Sequence, residues 1–93
     1  APTYNRAVPD YYCYILECSD GTFYTGWTTD PQRRLRQHCA GRGARYTRAH
    51  PPARLAFVEP QPDRAAAMRR ERALKALSRA RKQALIDAQS APE

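Results

Sequence analysis

Arg34 and His38 stand four residues apart in a stretch that reads as helix, so their side chains emerge one turn apart on one face. An Arg and a His presented together can clamp a phosphate oxygen and serve proton transfer or hydrogen bonding; an ordinary solvated face is the competing reading. Met68, Glu71 and Leu74 also follow helical spacing, which sets a carboxylate on or beside an apolar stripe. Glu71 lies among Arg69, Arg70 and Arg72 in a segment otherwise poor in acid, a reasonable ligand for a hard cation such as Mg²⁺. A Glu71–Lys75 pair at four-residue spacing, worth about 0.2–0.5 kcal/mol, is compatible with that role, because Lys75 could position the carboxylate.

Two tyrosines could join this set if the chain brings them to one face. Tyr11 to Cys18 and Phe23 to Thr28 are β-prone runs separated by Ser19-Asp20-Gly21, which predicts a hairpin. Side chains alternate along a strand, so the loop length decides where Tyr14 and Tyr24 point. A two-residue Asp20-Gly21 turn pairs Cys18 with Phe23 and puts the tyrosines on opposite faces. A three-residue loop with Gly21 left-handed pairs Cys18 with Thr22, sets Tyr14 across from Gly26, and leaves Tyr24 diagonal on the same face. Gly26 would then give open space for a backbone or phosphate. Both turns fit the sequence, and Tyr12, Tyr14, Tyr24 and Trp27 could equally just pack a sheet.

The elements that must carry these residues follow in order. Asp30-Pro31 supplies an N-cap and a first helical position for a helix reaching about Ala40, which Gly41 stops. Residues 41–52 form a basic connection with room for a helical turn around Tyr46. Leu55 to Val58 is a short apolar run bounded by prolines, the expected third strand. From Asp63 the pattern is helical to about Leu77, and Ser78 can cap a further helix through Ile86. The expected fold is α/β of the α+β type: a small three-stranded antiparallel sheet flanked by helices, in the order β-β-α-(turn)-β-α-α. Residues 1–10 read as a flexible lead-in, 11–88 as a single domain and 89–93 as a frayed tail.

A chain of 93 residues has room for one modest core. No apolar run is long enough to span a bilayer and no signal peptide is evident, so a soluble, cytoplasmic protein is expected. Cys13, Cys18 and Cys39 are odd in number and lack metal-type spacing, which suits free thiols and argues against zinc. Sixteen Lys and Arg, nearly all Arg, and a net charge of +7 favour a polyanionic partner, and the planar Arg fork suits phosphate.

In order, these residues resemble the GIY-YIG nuclease superfamily. Its hairpin elements correspond to Tyr12-Cys13-Tyr14 and Tyr24-Thr25-Gly26, within a stretch from Tyr11 to Thr28 similar to the small, single-domain bacterial branch. That branch is similar to the catalytic domain of structure-specific endonucleases. The likeness continues through Asp30 to His38 and Gly41 to Thr47, and ends with Glu71 and Lys75, covering about residues 11–82. Tyr12 and Cys13 replace the Gly and Ile of the name motif, Thr25 replaces its middle Ile, and Trp27 stands where some relatives carry a smaller or basic residue.

The resemblance implies an endonuclease of DNA repair or recombination that hydrolyses DNA phosphodiester bonds with one divalent metal, Mg²⁺ or Mn²⁺, held by Glu71. Arg34 would hold a non-bridging phosphate oxygen. Tyr14 or Tyr24, with Tyr24 preferred, would take the proton from water, supported by His38. A phenol has a reference pKa of about 10; positive neighbours favour the phenolate and burial opposes it, so the rate should rise with pH. Gly26, Arg42, Arg45, Arg48 and Lys75 are the expected nucleic-acid contacts. Backbone contacts carry little sequence information, so branched, flap or nicked DNA is the expected partner, with RNA still open and a protein partner as a source of specificity. Two other readings use the same residues: a catalytically inactive DNA- or RNA-binding relative, and a module whose basic face docks an acidic protein.

Overall fold

The computed structural model describes residues 10–91. The lead-in before Asp10 and the last two residues fall outside the described residues. Strands β1 (Tyr11–Cys18) and β2 (Phe23–Thr28) are joined by Ser19, Asp20 and Gly21, with Gly21 at φ +85°. The Cys18 amide donates to the Thr22 carbonyl at 2.8 Å, and the Gly21 amide to the Cys18 carbonyl at 2.9 Å. The Asp20 carboxylate braces the turn by accepting from the Thr22 amide (3.1 Å) and hydroxyl (2.7 Å). Of the two turns the sequence allows, the three-residue loop is the one formed, with Gly21 in the left-handed position that this loop reserves for a residue without a Cβ.

The remaining elements are α1 (Pro31–Cys39), α2 (Arg45–Ala49), β3 (Pro52–Gln61), α3 (Arg64–Lys75) and α4 (Arg79–Ser90). The sheet is antiparallel in the order β2-β1-β3, so the expected architecture is the one observed. Asp30, Asp63 and Ser78 cap α1, α3 and α4 by accepting from the Arg33, Ala66 and Arg81 amides. Helix α1 ends in a Schellman arrangement. The Arg42 amide donates to the Gln37 carbonyl (2.9 Å) and the Gly41 amide to that of His38 (3.1 Å), with Gly41 at φ +77°.

Alternation along β1 divides the molecule. Cys13 and Ile15 face α3 and α4, forming the core with Phe57, Ala67, Leu74 and Ile86. Fully burying each of the larger aliphatic side chains contributes about 1.5–3 kcal/mol. Tyr14 and Leu16 face the other way, also buried, toward α1.

Three expectations are corrected. Strand β3 is ten residues long, well beyond Leu55 to Val58. Pro52 and Pro60 are tolerated because β3 is an outer strand, where an amide is not needed on both sides. Met68 is 38% exposed and does not belong to the buried stripe of α3, which is Ala67 and Leu74 with Glu71 beside them. Helix α4 runs through Ser90, and Gln89 exchanges both amide hydrogen bonds with the backbone of Val58, covering part of the free edge of β3. Among the described residues, no helix is long and apolar enough to cross a membrane.

Candidate active site

The hairpin register puts Tyr14 opposite Gly26 and Leu16 opposite Tyr24, so both tyrosines share the α1 face with ring centroids 6.4 Å apart. Gly26 is buried, and a Cβ there would stand 2.6 Å from the Tyr14 hydroxyl oxygen. The expectation of open space at Gly26 for a phosphate is therefore wrong. The missing side chain makes room for the Tyr14 ring, which fills that space.

His38 reaches this pair from the last turn of α1. Its Nε2 lies 2.8 Å from the Tyr14 hydroxyl, and its ring centroid 5.1 Å from that of Tyr24. On the other side, Nδ1 lies 3.3 Å from the Ala44 amide and 2.7 Å from the Thr47 hydroxyl. The Thr47 hydroxyl also reaches the Ala44 carbonyl at 2.9 Å. A backbone amide can only donate, whereas a hydroxyl rotates to suit. The Ala44 amide asks Nδ1 to accept, while a Thr47 hydroxyl that donates to the Ala44 carbonyl asks Nδ1 to donate, so these contacts fix the orientation of the ring and suit either tautomer. Gly43 permits this packing, since a Cβ there would come within 2.2 Å of His38 Nδ1.

Burial governs the protonation states. It pushes the Tyr14 phenol up to about 12, outweighing the Arg34 guanidinium that pulls it down, while the Tyr24 and Glu71 charges add to the rise. Burial, and then Arg34, push the His38 imidazole down to about 4. At neutral pH His38 is therefore an uncharged hydrogen-bonding group and Tyr14 a neutral phenol. Of the two tyrosines considered as base, Tyr14 is the one that burial disarms.

Arg34 donates to Gln37 at 2.9 Å and borders an open cleft of about 320 Å³ with Trp27, Thr28, Thr29, Asp30, Arg33 and Gln37. Glu71 stands on α3, its side chain 20% exposed and 3.6 Å from Lys75. Burial and then the Glu59 charge raise the Cys13 thiol on the core side of the sheet, and the Glu71 charge adds a smaller push there, as it does to the Tyr14 phenol that burial raises on the other side. Tyr14, Tyr24 and His38 are thus drawn together from β1, β2 and α1, with Arg34 beside Tyr14, while Glu71 on α3 acts on Tyr14 through its charge alone. Arg42, Arg45 and Arg48 lie exposed on the neighbouring loop and α2, apart from the buried cluster.

A family model described as the GIY-YIG catalytic domain matches residues 10–84. The chain belongs to the GIY-YIG family. A UPF0213 protein of Halobacterium salinarum is 53% identical over 82% of this chain and 99% of its own. One of Xanthomonas axonopodis is 49% identical over 89% and 81%. The solution NMR structure of a UPF0213 protein from Bacillus halodurans has a TM-score of 0.56 at 46% identity, covering 88% of this chain and 87% of that one. A solution NMR structure of an E. faecalis protein gives 0.55 at 37%, covering 89% and 90%.

In this GIY-YIG domain the tyrosines of the two name elements are the pair brought together by Gly21 and Gly26. Sequence reasoning missed Gly43 and Thr47, which set the orientation of His38. The signal available was the Gly41-Arg42-Gly43 spacing after α1, of which only the first glycine was needed to end the helix.

Proposed function

We propose that this GIY-YIG domain is a divalent-metal-dependent endonuclease that hydrolyses DNA phosphodiester bonds and selects DNA by its structure more than its sequence, in repair or recombination. The observation that carries the reading is the three-residue turn, which puts Tyr14 and Tyr24 on one face against His38, near Arg34 and within electrostatic reach of Glu71.

Among the described residues, no three His, Cys, Asp or Glu side chains cluster as metal ligands, so an ion held by Glu71 would rest largely on water and substrate oxygens. That donor set suits Mg²⁺ or Mn²⁺, hard ions that retain waters and complete their shell with substrate phosphate oxygens. It does not suit zinc, which takes three or four N, S or carboxylate ligands. When bound, such an ion neutralises charge on the phosphate and on the leaving oxygen.

The chain's own residues do the rest. Arg34 holds a non-bridging phosphate oxygen with the fork that Gln37 helps to orient. Tyr24, half-buried beside Tyr14, accepts the proton of the attacking water. Tyr14 stays a neutral phenol, held in place by His38. Lys75 holds Glu71, and Arg42, Arg45 and Arg48 track the backbone on either side.

The test is cleavage of end-labelled single-stranded, duplex, flap and junction DNAs by wild type and Glu71→Ala, with Mg²⁺, Mn²⁺ or EDTA. Metal-dependent nicking by wild type that the variant lacks is expected. Salt-sensitive binding without cleavage in any metal, unaffected by the substitution, would instead identify an inactive binder.

A further inference from the structure

A second cationic cleft lies on the α3 and α4 side of the sheet, away from Arg34. Thr22, Phe23, Arg79 and Lys82 line it, around a volume of about 220 Å³. The Arg79 guanidinium sits 4.5 Å from the centre of the Phe23 ring and donates to the Gly21 carbonyl, which leaves its other N–H groups unused. Lys82 is partly buried and has no hydrogen-bond or ion-pair partner among the described residues. Burial and then the charge of Lys75 push its ammonium below the ordinary value. Lys75 itself stands 3.6 Å from Glu71. The Asp20 carboxylate, which the Thr22 hydroxyl touches, is taken up by Thr22 and His50.

Pinning the start of α4 to the hairpin turn accounts for Arg79. It leaves Lys82 unexplained, because a partly desolvated ammonium beside a second one costs stability, and an anion in the cleft offsets that cost. We propose that this cleft binds a backbone phosphate of the DNA. This rests on the nuclease reading and extends the path of its substrate. A guanidinium stacked on a ring and anchored by a carbonyl presents its fork in one orientation, which suits phosphate oxygens; Lys82 adds a point charge. The row Lys75, Lys82, Arg79 begins beside Glu71 and ends at the hairpin turn, so a phosphate chain leaving Glu71 meets cations in succession. Phe23 and Tyr24 are neighbours on β2 and point to opposite faces, and β2 is an outer strand. A DNA strand held both by Arg34 and by this cleft therefore crosses the outer edge of β2 at Tyr24.

The experiment is binding of labelled single-stranded DNA and its duplex by fluorescence anisotropy in EDTA over a range of salt concentrations. Wild type is compared with Arg79→Gln, with Lys82→Met, which keeps the aliphatic stem, and with Arg81→Gln, which removes the same charge from α4 outside the cleft. The slope of log affinity against log salt should shrink by about 0.9 on duplex, or about 0.7 on a single strand, for each cation removed from the cleft. Arg81→Gln should leave it near wild type. The urea midpoint of Lys82→Met should stay at or above that of wild type, since a like-charge pair is removed; this keeps the test open if Arg79→Gln fails to fold. An unchanged slope in Lys82→Met, an equal loss in Arg81→Gln, a lowered midpoint in Lys82→Met or no salt-sensitive binding by wild type overturns the proposal. Without metal nothing is cleaved, so a failure of the nuclease reading shows only in the metal panel and leaves this result independent.

Discussion

Tyr14 and His38, 24 residues apart in the chain, meet through a buried 2.8 Å hydrogen bond that joins the central strand to the end of α1. Each partner occupies space left by a glycine, Gly26 under the Tyr14 ring and Gly43 against the imidazole. The bond therefore depends on two missing side chains as much as on the two present.

Adding those side chains should break it. A methyl at Gly26 lies 2.6 Å from the Tyr14 oxygen, and one at Gly43 lies 2.2 Å from His38 Nδ1. Gly26→Ala and Gly43→Ala are each expected to cost about 1–3 kcal/mol in urea unfolding, as overpacking does, and to depress cleavage. At Gly21 a Cβ meets nothing within 4 Å, so Gly21→Ala carries only the penalty of its positive φ. An unchanged unfolding midpoint in both Gly26→Ala and Gly43→Ala would show that the rings move aside freely.

Arg34 should matter to chemistry more than to binding. Arg34→Ala is expected to lower the single-turnover cleavage rate by about 10²–10³-fold, the usual loss for one preorganised charge-stabilising donor. DNA affinity should fall little, because the exposed arginines remain. Arg34→Lys keeps charge without the fork and should fall between. A loss expressed wholly in affinity would remove Arg34 from the transition state.

Stability should fall at both ends of the pH scale, for opposite reasons. His38 is held at about 4, below its ordinary 6.5. The unfolded chain therefore takes up this proton first as pH drops, and stability is lost between about 6.5 and 4. Tyr14 is raised from 10 to about 12. The unfolded chain releases that proton first as pH rises, so stability is lost between about 10 and 12. Urea midpoints across pH should show both limbs, His38→Gln flattening the acid one and Tyr14→Phe the alkaline one. Variants that retain both slopes would refute the assignment.

The two tyrosines should separate on substitution. Tyr24→Phe is expected to lower the single-turnover cleavage rate by about 10²–10⁴-fold, the usual contribution of a positioned base. Tyr14→Phe should lower the rate less. A Tyr24→Phe rate equal to that of wild type, with chemistry shown to be rate-limiting, would exclude Tyr24 as the base.

Much of this protein was legible from its residues in order. Asp30-Pro31, Asp63 and Ser78 announced three helix starts and Gly41 a stop, because caps and left-handed glycines act on backbone groups within a few positions. The candidate set was legible too, since its residue types stand in the order shared with the GIY-YIG family. The length of β3 was not, because its outer halves have no pattern of their own and are drawn into the sheet by pairing with β1. Met68 misled for a related reason: helical spacing gives a stripe its period, and packing partners choose which side is buried.

The sequence alone therefore determined the local starts and stops, the basic charge and the residue types proposed for the site, all short-range or compositional properties. Tertiary structure decided the rest. It selected the three-residue turn, and with it the common face of Tyr14 and Tyr24; it showed that Gly26 houses a ring and offers no opening to a phosphate. It brought Thr47 and the Ala44 amide to His38 and so fixed the orientation of its ring. It also buried Tyr14 enough that desolvation outweighs Arg34. Burial and long-range contact sum over segments that are distant in the chain, and no window of sequence contains that sum.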